Sequence, residues 1–312
     1  MDPSVVARRA VPLRMDPSVK KLLAWYGRFR RDLPWRKTRD PYRIFVSELM
    51  LQQTQVERVV PKYRAWIRRF PTWKDLTRAK TTDLIRAWAG LGYNRRALYA
   101  REAALTVVER GVPTNEEEWR ALKGVGPYMA AALAEFANHK RAIVLDTNVR
   151  RVAGRLFHGI PFPHADDDSN ILRSLERTTP QTGAHWNLPQ AFMDLATAVC
   201  FVRSPQCSVC PLRNDCKAAK LFLTGHAGTK PKRKVTERIH QEKRWPDRIY
   251  RGRILTWIMR RGPTKIVALG PKIDDSFDEI TDSGWLRAMA GRLVKDGLLT
   301  LSYGGTLSLP KS

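Results

Sequence analysis

The chain has 312 residues, 43% of them hydrophobic, which is enough for two modest cores or for one larger core with an appended module. Its 56 Lys and Arg residues outnumber 30 Asp and Glu residues, and the formal net charge of +26 argues for a polyanionic partner such as nucleic acid. No apolar stretch reaches the roughly 18 residues of an ordinary membrane span, and the N-terminus lacks the apolar core of a signal peptide. We therefore expect an intracellular, cytoplasmic protein that does not contact membranes.

Up to about residue 220 the chain shows the periodicity of short amphipathic helices, and no segment there alternates as a strand would. The predicted helical segments are 43–70, 83–88, 97–108, 129–136 and 149–157. Pro61 is expected to break the first of them, because proline lacks the amide N–H that a helix interior requires. The first 220 residues are therefore predicted to be all-α.

The composition changes after residue 220. Residues 221–244 contain glycines, Pro231 and a run of basic side chains, and they are predicted to form a basic linker. Two more helices are predicted at 248–261 and 284–296, and residues 298–309 then alternate around two glycines as a hairpin would. Helices followed by a terminal hairpin indicate a small winged-helix-like module at 245–312, while residues 1–19 form an N-terminal extension.

All the cysteines of the chain lie in one short segment. Cys200, Cys207, Cys210 and Cys216 give the spacing C-x6-C-x2-C-x5-C. A disulfide framework would scatter its cysteines along the chain, and a cytosolic protein has little use for one. Four thiolates this close can wrap a compact metal centre, and their softness suits either zinc or an iron–sulfur cluster. The spacing of the cysteines does not by itself distinguish zinc from an iron–sulfur cluster.

A glycine pair precedes the helix predicted at 129–136. Gly124 and Gly126 let the backbone turn tightly, so that amide N–H groups are exposed at the start of a helix, where an anion is favoured. The same triplet, with Val125 between the glycines, also occurs in plain turns. The segment is therefore either a phosphate-binding hairpin or an ordinary turn.

Two carboxylates are the candidate chemical groups. Glu48 precedes the run Gln52, Gln53, Thr54 and Gln55, whose amides are costly to bury without partners. This run is either a solvated helix face or part of a polar site. Asp146 follows an apolar run and precedes helical spacing, where aspartate is also an ordinary N-cap.

In their order and residues these segments resemble the helix–hairpin–helix DNA glycosylases, and among them the MutY-type adenine-DNA glycosylases, over roughly residues 20–220. The cysteine spacing matches the [4Fe–4S] loop of the endonuclease III and MutY glycosylases. The resemblance implies an all-α helix–hairpin–helix glycosylase domain at 20–220, with a [4Fe–4S] cluster held by the loop 200–216. It also implies catalysis in a cleft between a helical barrel and the half that carries the cluster.

Position by position, the resemblance makes Glu48 the catalytic acid and Asp146 the catalytic carboxylate. Tyr128 matches the position beside the reacting sugar, where bifunctional relatives have a Schiff-base lysine, while Gln53 and Tyr93 match residues that wedge into the base stack. Other residues that it places at the substrate or the DNA are Trp35, Arg36, Gln52, Gly124, Gly126, Asn148 and Gln190. The chain departs from the family at Lys123 in place of a usual proline, Thr147 in place of a common glycine and Pro189 in place of a common asparagine.

The implied activity is monofunctional excision of adenine mispaired with 8-oxoguanine or guanine in double-stranded DNA, by a monomeric enzyme. Adenine leaves readily only when protonated, which requires an acid at Glu48, and an ionised Asp146 would stabilise the oxocarbenium-like sugar.

Two alternatives stay open. One is a thymine or uracil–guanine mismatch glycosylase of the same superfamily, which also has tyrosine at the position of Tyr128 but lacks the glutamine run. The other is a non-catalytic iron–sulfur DNA-binding protein, which would need neither Glu48 nor Asp146. The C-terminal module looks too short and too helical for the Nudix-like domain that reads 8-oxoguanine in many relatives, so the opposite base is left open.

Overall fold

The computed structural model describes residues 15–181, 183, 185–230, 239–240 and 243–311. Most of the predicted N-terminal extension and much of the predicted basic linker lie outside these residues. The described residues are mostly helical, with three short strands near the C-terminal end, so the predicted all-α class with a terminal hairpin is confirmed. None of the helices in this part of the chain is long and apolar enough to cross a membrane.

The helices up to residue 223 are α1 (Pro17–Phe29), α2 (Pro41–Leu51), α3 (Val56–Arg69), α4 (Trp73–Arg78), α5 (Thr81–Trp88), α6 (Arg95–Arg110), α7 (Glu116–Arg120), α8 (Pro127–Phe136), α9 (Thr147–His158), α10 (Asp168–Thr178), α11 (Asn187–Ala198) and α12 (Ala219–Leu223). The C-terminal elements are α13 (Asp247–Arg261), β1 (Thr264–Lys265), α14 (Gly270–Ile273), α15 (Glu279–Lys295), β2 (Thr300–Leu301) and β3 (Thr306–Ser308). Internal contacts divide the described residues into two units. The first unit comprises 15–32 and 134–230, and the second comprises 33–133 with the described residues from 239 to 311.

The core of the first unit is built from α1, α9, α10 and α11. On α9, Val149, Val152, Ala153 and Leu156 recur at helical spacing and are buried. The helix ends at Gly159, whose φ of +70° is the left-handed conformation that glycine adopts at helix C-termini. The cysteine loop packs on the same core, so the apolar residues of α9 help to form the surface that supports the loop.

The helical part of the second unit contains α2 to α7 and the start of α8. The break expected at Pro61 is wrong, because α3 runs through this residue, and the helix is interrupted at residues 52–55 instead. Pro61 forfeits one helical hydrogen bond. Burial of Val59, Tyr63 and Trp66 on the inner face of α3 outweighs that loss.

The C-terminal residues form a winged-helix-like arrangement in which α13 packs against α15, and a three-stranded antiparallel sheet of order β1-β3-β2 adds Leu307 to their shared core. The predicted hairpin is confirmed, since Thr300 pairs with Ser308 and Leu301 with Leu307. The core of the module also contains Ile85 of α5 and Leu98 of α6. The module is thus packed against the helices of its own unit through shared apolar contacts.

Candidate active site and cysteine loop

The predicted acid lies inside the second unit. Glu48 is in the second half of α2 and only 6% of it is exposed. α2 is held in place by its N-cap, where the Asp40 carboxylate accepts from the Tyr42 amide. Tyr128, in the first turn of α8, donates its hydroxyl to Oε2 of Glu48 at 3.3 Å. The structure therefore brings together the acid and the tyrosine that were predicted to act on one nucleotide.

The glutamine run is not a helix face, because the chain leaves α2 at Gln52. Gln52 is half-buried and its amide lies 3.3 Å from the Met129 sulfur, while Gln53 is exposed with a φ of +55°. Tyr93, in the loop before α6, is 52% exposed with a φ of +46°. Thr54 joins the two loops by donating to the Leu91 carbonyl at 3.3 Å. The two predicted wedge residues are thus presented on adjacent, connected loops.

The glycine pair forms the turn that its sequence predicts. Gly124 has a φ of +82°, and a Cβ there would lie 2.9 Å from the Tyr99 ring, so a larger residue is excluded on both counts. Val125 is buried and anchors the turn, while Lys123 and Gly126 are exposed just ahead of α8. This places an exposed backbone turn and a lysine at a helix N-terminus, which suits an anion.

Trp35 and Arg36 lie in a single turn of 3-10 helix, Pro34–Lys37. Trp35 is buried and meets Tyr63 edge to face, with ring centroids 5.3 Å apart. Burial raises the pKa of the Tyr63 hydroxyl to about 12. Arg36 is half-buried. Within the second unit Trp35 is therefore packed in the core, and Arg36 is the more accessible of the two predicted pocket residues.

Asp146, in the first unit, is the N-cap of α9. Its Oδ1 accepts from the Asn148 amide at 2.8 Å and the Val149 amide at 2.6 Å, and its Oδ2 accepts from the Asn148 side chain at 2.8 Å. All three partners are donors, which matches an ionised carboxylate, an acceptor only. Glu48 and Asp146 belong to different units.

Gln190, the predicted contact to the flipped base, is on α11 in the first unit. Its carbonyl oxygen accepts from the Tyr26 hydroxyl at 3.1 Å, and its amide donates to the Trp186 carbonyl at 3.2 Å. These bonds fix the orientation of the side chain. A base that contacts Gln190 has one amide hydrogen and one oxygen lone pair left to use.

Two arginines of α9, the partly buried Arg151 and the buried Arg155, connect Asp146 to the cysteine loop. Arg151 donates to Oδ1 of Asn148 at 3.1 Å and to the Cys200 carbonyl at 2.9 Å. Arg155, 2% exposed, donates to the Cys200 sulfur at 3.2 Å and to the Phe201 carbonyl at 2.8 Å. Arg151 thus contacts Asn148, the hydrogen-bond partner of Asp146, and Arg155, one helical turn further along, contacts the Cys200 sulfur.

The four predicted metal ligands line one cavity in the first unit, together with side chains such as Arg155 and Phe222. Burial raises the pKa of the Cys210 thiol to about 12 and that of Cys216 to about 11. Backbone N–H groups point at these sulfurs, from Leu212 to Cys210 and from Ala218 and Ala219 to Cys216. Across the described residues, no three His, Cys, Asp or Glu side chains are arranged as the ligands of a single metal ion.

These surroundings fit a thiolate-bound cluster. The cavity is partly apolar, so a thiolate in it needs a compensating cation. Amide N–H groups directed at sulfur are among the contacts that stabilise iron–sulfur clusters. The donor set of four cysteines is therefore chemically suited to the group that the sequence predicts.

Sequence reasoning missed the buried arginines Arg96 on α6 and Arg155 on α9, and the partly buried Arg151 on α9. Arg151 and Arg155 are four residues apart on one helix, a spacing that is equally common on solvated faces. Arg96 follows Tyr93 by three residues, and its proximity to a predicted wedge residue was the one available signal.

Known proteins resemble this chain in sequence and in fold. The sequence profile of the HhH-GPD superfamily of base excision DNA repair proteins matches residues 46–180. The adenine DNA glycosylase of Mycobacterium tuberculosis is 37% identical over 99% of this chain and 97% of its own length. That of Mycolicibacterium smegmatis is 37% identical over 95% and 97%.

Among solved structures, a thermostable thymine-DNA glycosylase superposes with a TM-score of 0.60 and 28% identity, covering 65% of this chain and 94% of its own. The two mycobacterial adenine enzymes match along nearly the whole chain, and the superfamily profile spans both Glu48 and Asp146. The chain therefore belongs to the HhH-GPD superfamily of base excision DNA repair proteins, as a member of its adenine DNA glycosylase family.

Proposed function

We propose that the protein is a monofunctional DNA glycosylase that hydrolyses the bond between adenine and deoxyribose where adenine is mispaired with guanine or 8-oxoguanine. The observation that carries this proposal is the 3.3 Å contact between the Tyr128 hydroxyl and the buried Glu48 carboxyl. A tyrosine stands where a lyase would need an attacking amine, and an acid stands beside it. This pair is suited to base release by hydrolysis without strand cleavage.

Glu48 delivers the proton. Adenine becomes a good leaving group when one of its ring nitrogens is protonated, and a buried carboxyl can hold a proton for that step near neutral pH. The hydrogen bond from Tyr128 orients the carboxyl. The flipped adenine therefore meets an acid that is already positioned.

Asp146 supplies the second charge. Departure of the base leaves positive charge on the sugar, and an ionised carboxylate stabilises such a centre as in glycosidases. Asp146 accepts hydrogen bonds from the backbone amides of Asn148 and Val149 and from the Asn148 side chain. These bonds keep the carboxylate an acceptor and hold it in one orientation. Water then completes the hydrolysis.

The four cysteines Cys200, Cys207, Cys210 and Cys216 would hold a [4Fe–4S] cluster. When bound, the cluster supplies a rigid cross-link in a loop that lacks regular secondary structure over most of its length. Arg155 donates to the Cys200 sulfur and to the carbonyls of Phe201 and Val202, so this arginine holds the first residues of the loop in place.

The partner is duplex DNA that contains the mismatch. The net charge of +26 supplies phosphate affinity, and the exposed Lys123–Gly126 turn at the start of α8 is suited to one phosphate. Gln53 and Tyr93, both exposed, are placed to fill the gap that an extruded base leaves.

The test is a glycosylase assay on labelled duplexes that carry A, T or U opposite guanine and opposite 8-oxoguanine. We expect adenine release from both A-containing duplexes and no detectable thymine release from T opposite guanine. The control is Glu48→Gln, which should slow adenine release by about 10²–10⁴-fold. Release of T or U opposite guanine, without any adenine release, would refute the proposal.

The second candidate is a thymine or uracil–guanine mismatch glycosylase. The observation that favours it is the structural similarity to the thermostable thymine-DNA glycosylase, at 28% identity. Against it stands the Gln52–Gln55 loop, since the resemblance of this run is to the adenine enzymes. The same duplex panel separates the two candidates directly.

A further inference from the structure

Arg96, in the first turn of α6, makes more polar contacts than its place in a helix requires. It is 6% exposed. One terminal nitrogen, Nη1, donates to the carbonyls of Leu49 at 2.7 Å and Gln52 at 2.6 Å. These carbonyls lie at the C-terminal end of α2, where a helix leaves its last acceptors without internal partners.

The rest of the same guanidinium reaches the second loop. Nη2 donates to the Gly92 carbonyl at 3.2 Å and lies 3.4 Å from the Thr54 hydroxyl, and Nε donates to the Tyr93 carbonyl at 3.4 Å. Its carbon Cζ is 5.3 Å from the centre of the Tyr93 ring. A single planar group thus binds the loop that carries Gln53 and the loop that carries Tyr93.

Both loops hold backbone conformations that need support. Gln53 and Tyr93 have positive φ values of 55° and 46°, although neither is glycine. The left-handed region is unfavourable for such residues and persists only where the surroundings impose it. Burial lowers the pKa of Arg96 to about 10, so the side chain is still protonated at neutral pH and keeps all five donors.

We propose that Arg96 is a positioning residue that joins residues 52–55 and 90–94 into one rigid wedge, so that Gln53 and Tyr93 enter the base stack together. This inference rests on the proposed function, because only an enzyme that flips a base needs a wedge. Arg96 also binds the carbonyl of Leu49, the residue after Glu48, so the wedge is fixed to the helix that carries the acid.

Lysine is not an adequate substitute for this role. Its ammonium group is a compact point charge, whereas the five donors of arginine lie in one plane and can serve two loops at once. Arg96→Lys keeps the charge and the stem but cannot bind both loops at once, so the link that protects each loop through the other is lost. Arg96→Gln removes the charge as well.

The first experiment is amide hydrogen exchange on the DNA-free protein. In Arg96→Lys and Arg96→Gln we expect exchange at residues 52–55 and 90–94 to accelerate together, by about tenfold or more, because both segments open when their shared donor is lost. The matched control is Arg101→Gln. Arg101 is on the same helix and donates to the Thr81 hydroxyl at 2.8 Å, away from both wedge loops. Acceleration of one loop alone, or of neither, would overturn the proposal.

The second experiment measures coupling between the wedge residues on mismatched duplexes. 2-Aminopurine beside the mismatch brightens when it is unstacked, and the Glu48→Gln background keeps the base attached. With Arg96 present, the effects of Gln53→Ala and Tyr93→Ala on this signal should be non-additive. In Arg96→Lys the two effects should become additive. In Arg96→Lys with Glu48 intact, single-turnover base release should fall by about tenfold while the melting temperature stays within a few degrees of the wild type. Additivity in the presence of Arg96 would contradict a joint wedge.

The two experiments also separate this inference from the proposed function. Hydrogen exchange does not depend on any substrate. A wild-type protein that releases no adenine, yet shows the coupled acceleration in the Arg96 variants, would overturn the proposed activity and leave the loop coupling standing.

Discussion

Replacement of Glu48 by glutamine tests the chemistry of the site most directly. Glutamine has the shape of glutamate and keeps a carbonyl oxygen that can accept from the Tyr128 hydroxyl, now 3.3 Å from Oε2. α2 should be unchanged, since its capping bonds and its buried apolar residues are not touched. The variant loses only the ability to hold and deliver a proton.

The size of the effect follows from that single loss. General acid catalysis typically contributes about 10²–10⁴-fold to a rate. At about 1.4 kcal/mol for each factor of ten, the barrier should rise by roughly 3–6 kcal/mol. Duplex affinity should stay nearly the same, because the exposed Gln53, Tyr93 and Lys123 are intact. An unchanged binding constant together with a slow chemical step identifies a group that acts in the transition state.

Single-turnover release of adenine, with enzyme in excess over a labelled duplex, measures this step. Tyr128→Phe is the matched comparison, because it removes one hydrogen bond, worth about 0.5–1.5 kcal/mol, and should slow release by no more than roughly tenfold. If Glu48→Gln keeps more than a tenth of the wild-type rate, the assignment of Glu48 as the acid is wrong.

The protein purified without oxygen should be brown, with about four irons per chain, and Cys210→Ser should weaken DNA binding; one zinc and no iron would contradict the cluster. The wild type should leave an intact abasic site. If borohydride traps a covalent protein–DNA adduct as efficiently as with a true lyase, Tyr128 does not mark a hydrolytic enzyme. Alanine at Arg260 and Arg261, both exposed on α13, should weaken duplex binding and lower its salt dependence by about one unit each, with the preferred mismatch unchanged. Asp146→Asn should keep the melting temperature within a few degrees, because asparagine also caps helices, yet slow base release; an undiminished rate would exclude the carboxylate.

Surface substitutions test the module more cleanly than its deletion. Removal of residues 245–312 should also weaken binding and flatten its salt dependence, with the same preferred mismatch. However, the deletion would uncover Ile85 and Leu98, which are buried in the core that the module shares with α5 and α6. It would also remove the ion pair between Arg95 and Asp296 beside the Tyr93 loop. Arg260 and Arg261 carry charge without contributing to that core.

Local periodicity predicted most helices but not how they group. The segment expected at 97–108 is α6, Arg95–Arg110, and the one expected at 149–157 is α9, Thr147–His158. Their buried faces recur every three to four residues, so the signal is local. The interleaving of 15–32 with 134–230 in one unit depends on packing between distant segments, which no local pattern contains. The two-residue strand β1 was missed for the same reason, since its pairing with β3 alone defines it.

Glu48 and Tyr128, which are in contact in the structure, could be paired from the sequence because the resemblance supplied their positions. The buried arginines could not be predicted, since an arginine in a helix is ordinarily solvent-exposed and its sequence context is the same in either case. Arg155 is 2% exposed only because the carbonyls of residues 161, 201 and 202 and the Cys200 sulfur converge on it from outside its helix. Such convergence is a property of the folded chain.

The two interpretations of Asp146, as a helix cap and as a catalytic carboxylate, are compatible in one geometry. A carboxylate offers about four acceptor positions, and the bonds from the Asn148 amide, the Val149 amide and the Asn148 side chain use three of them. At least one lone pair is left to face a positive centre. The cap bonds also restrict rotation of the side chain, so the entropy of orienting it is lost on folding and not at the moment of reaction. Asn148 is in turn held by Arg151, which binds the backbone of Cys200. The feature that pointed to an ordinary helix start is therefore also one that would orient the charge in the proposed reaction.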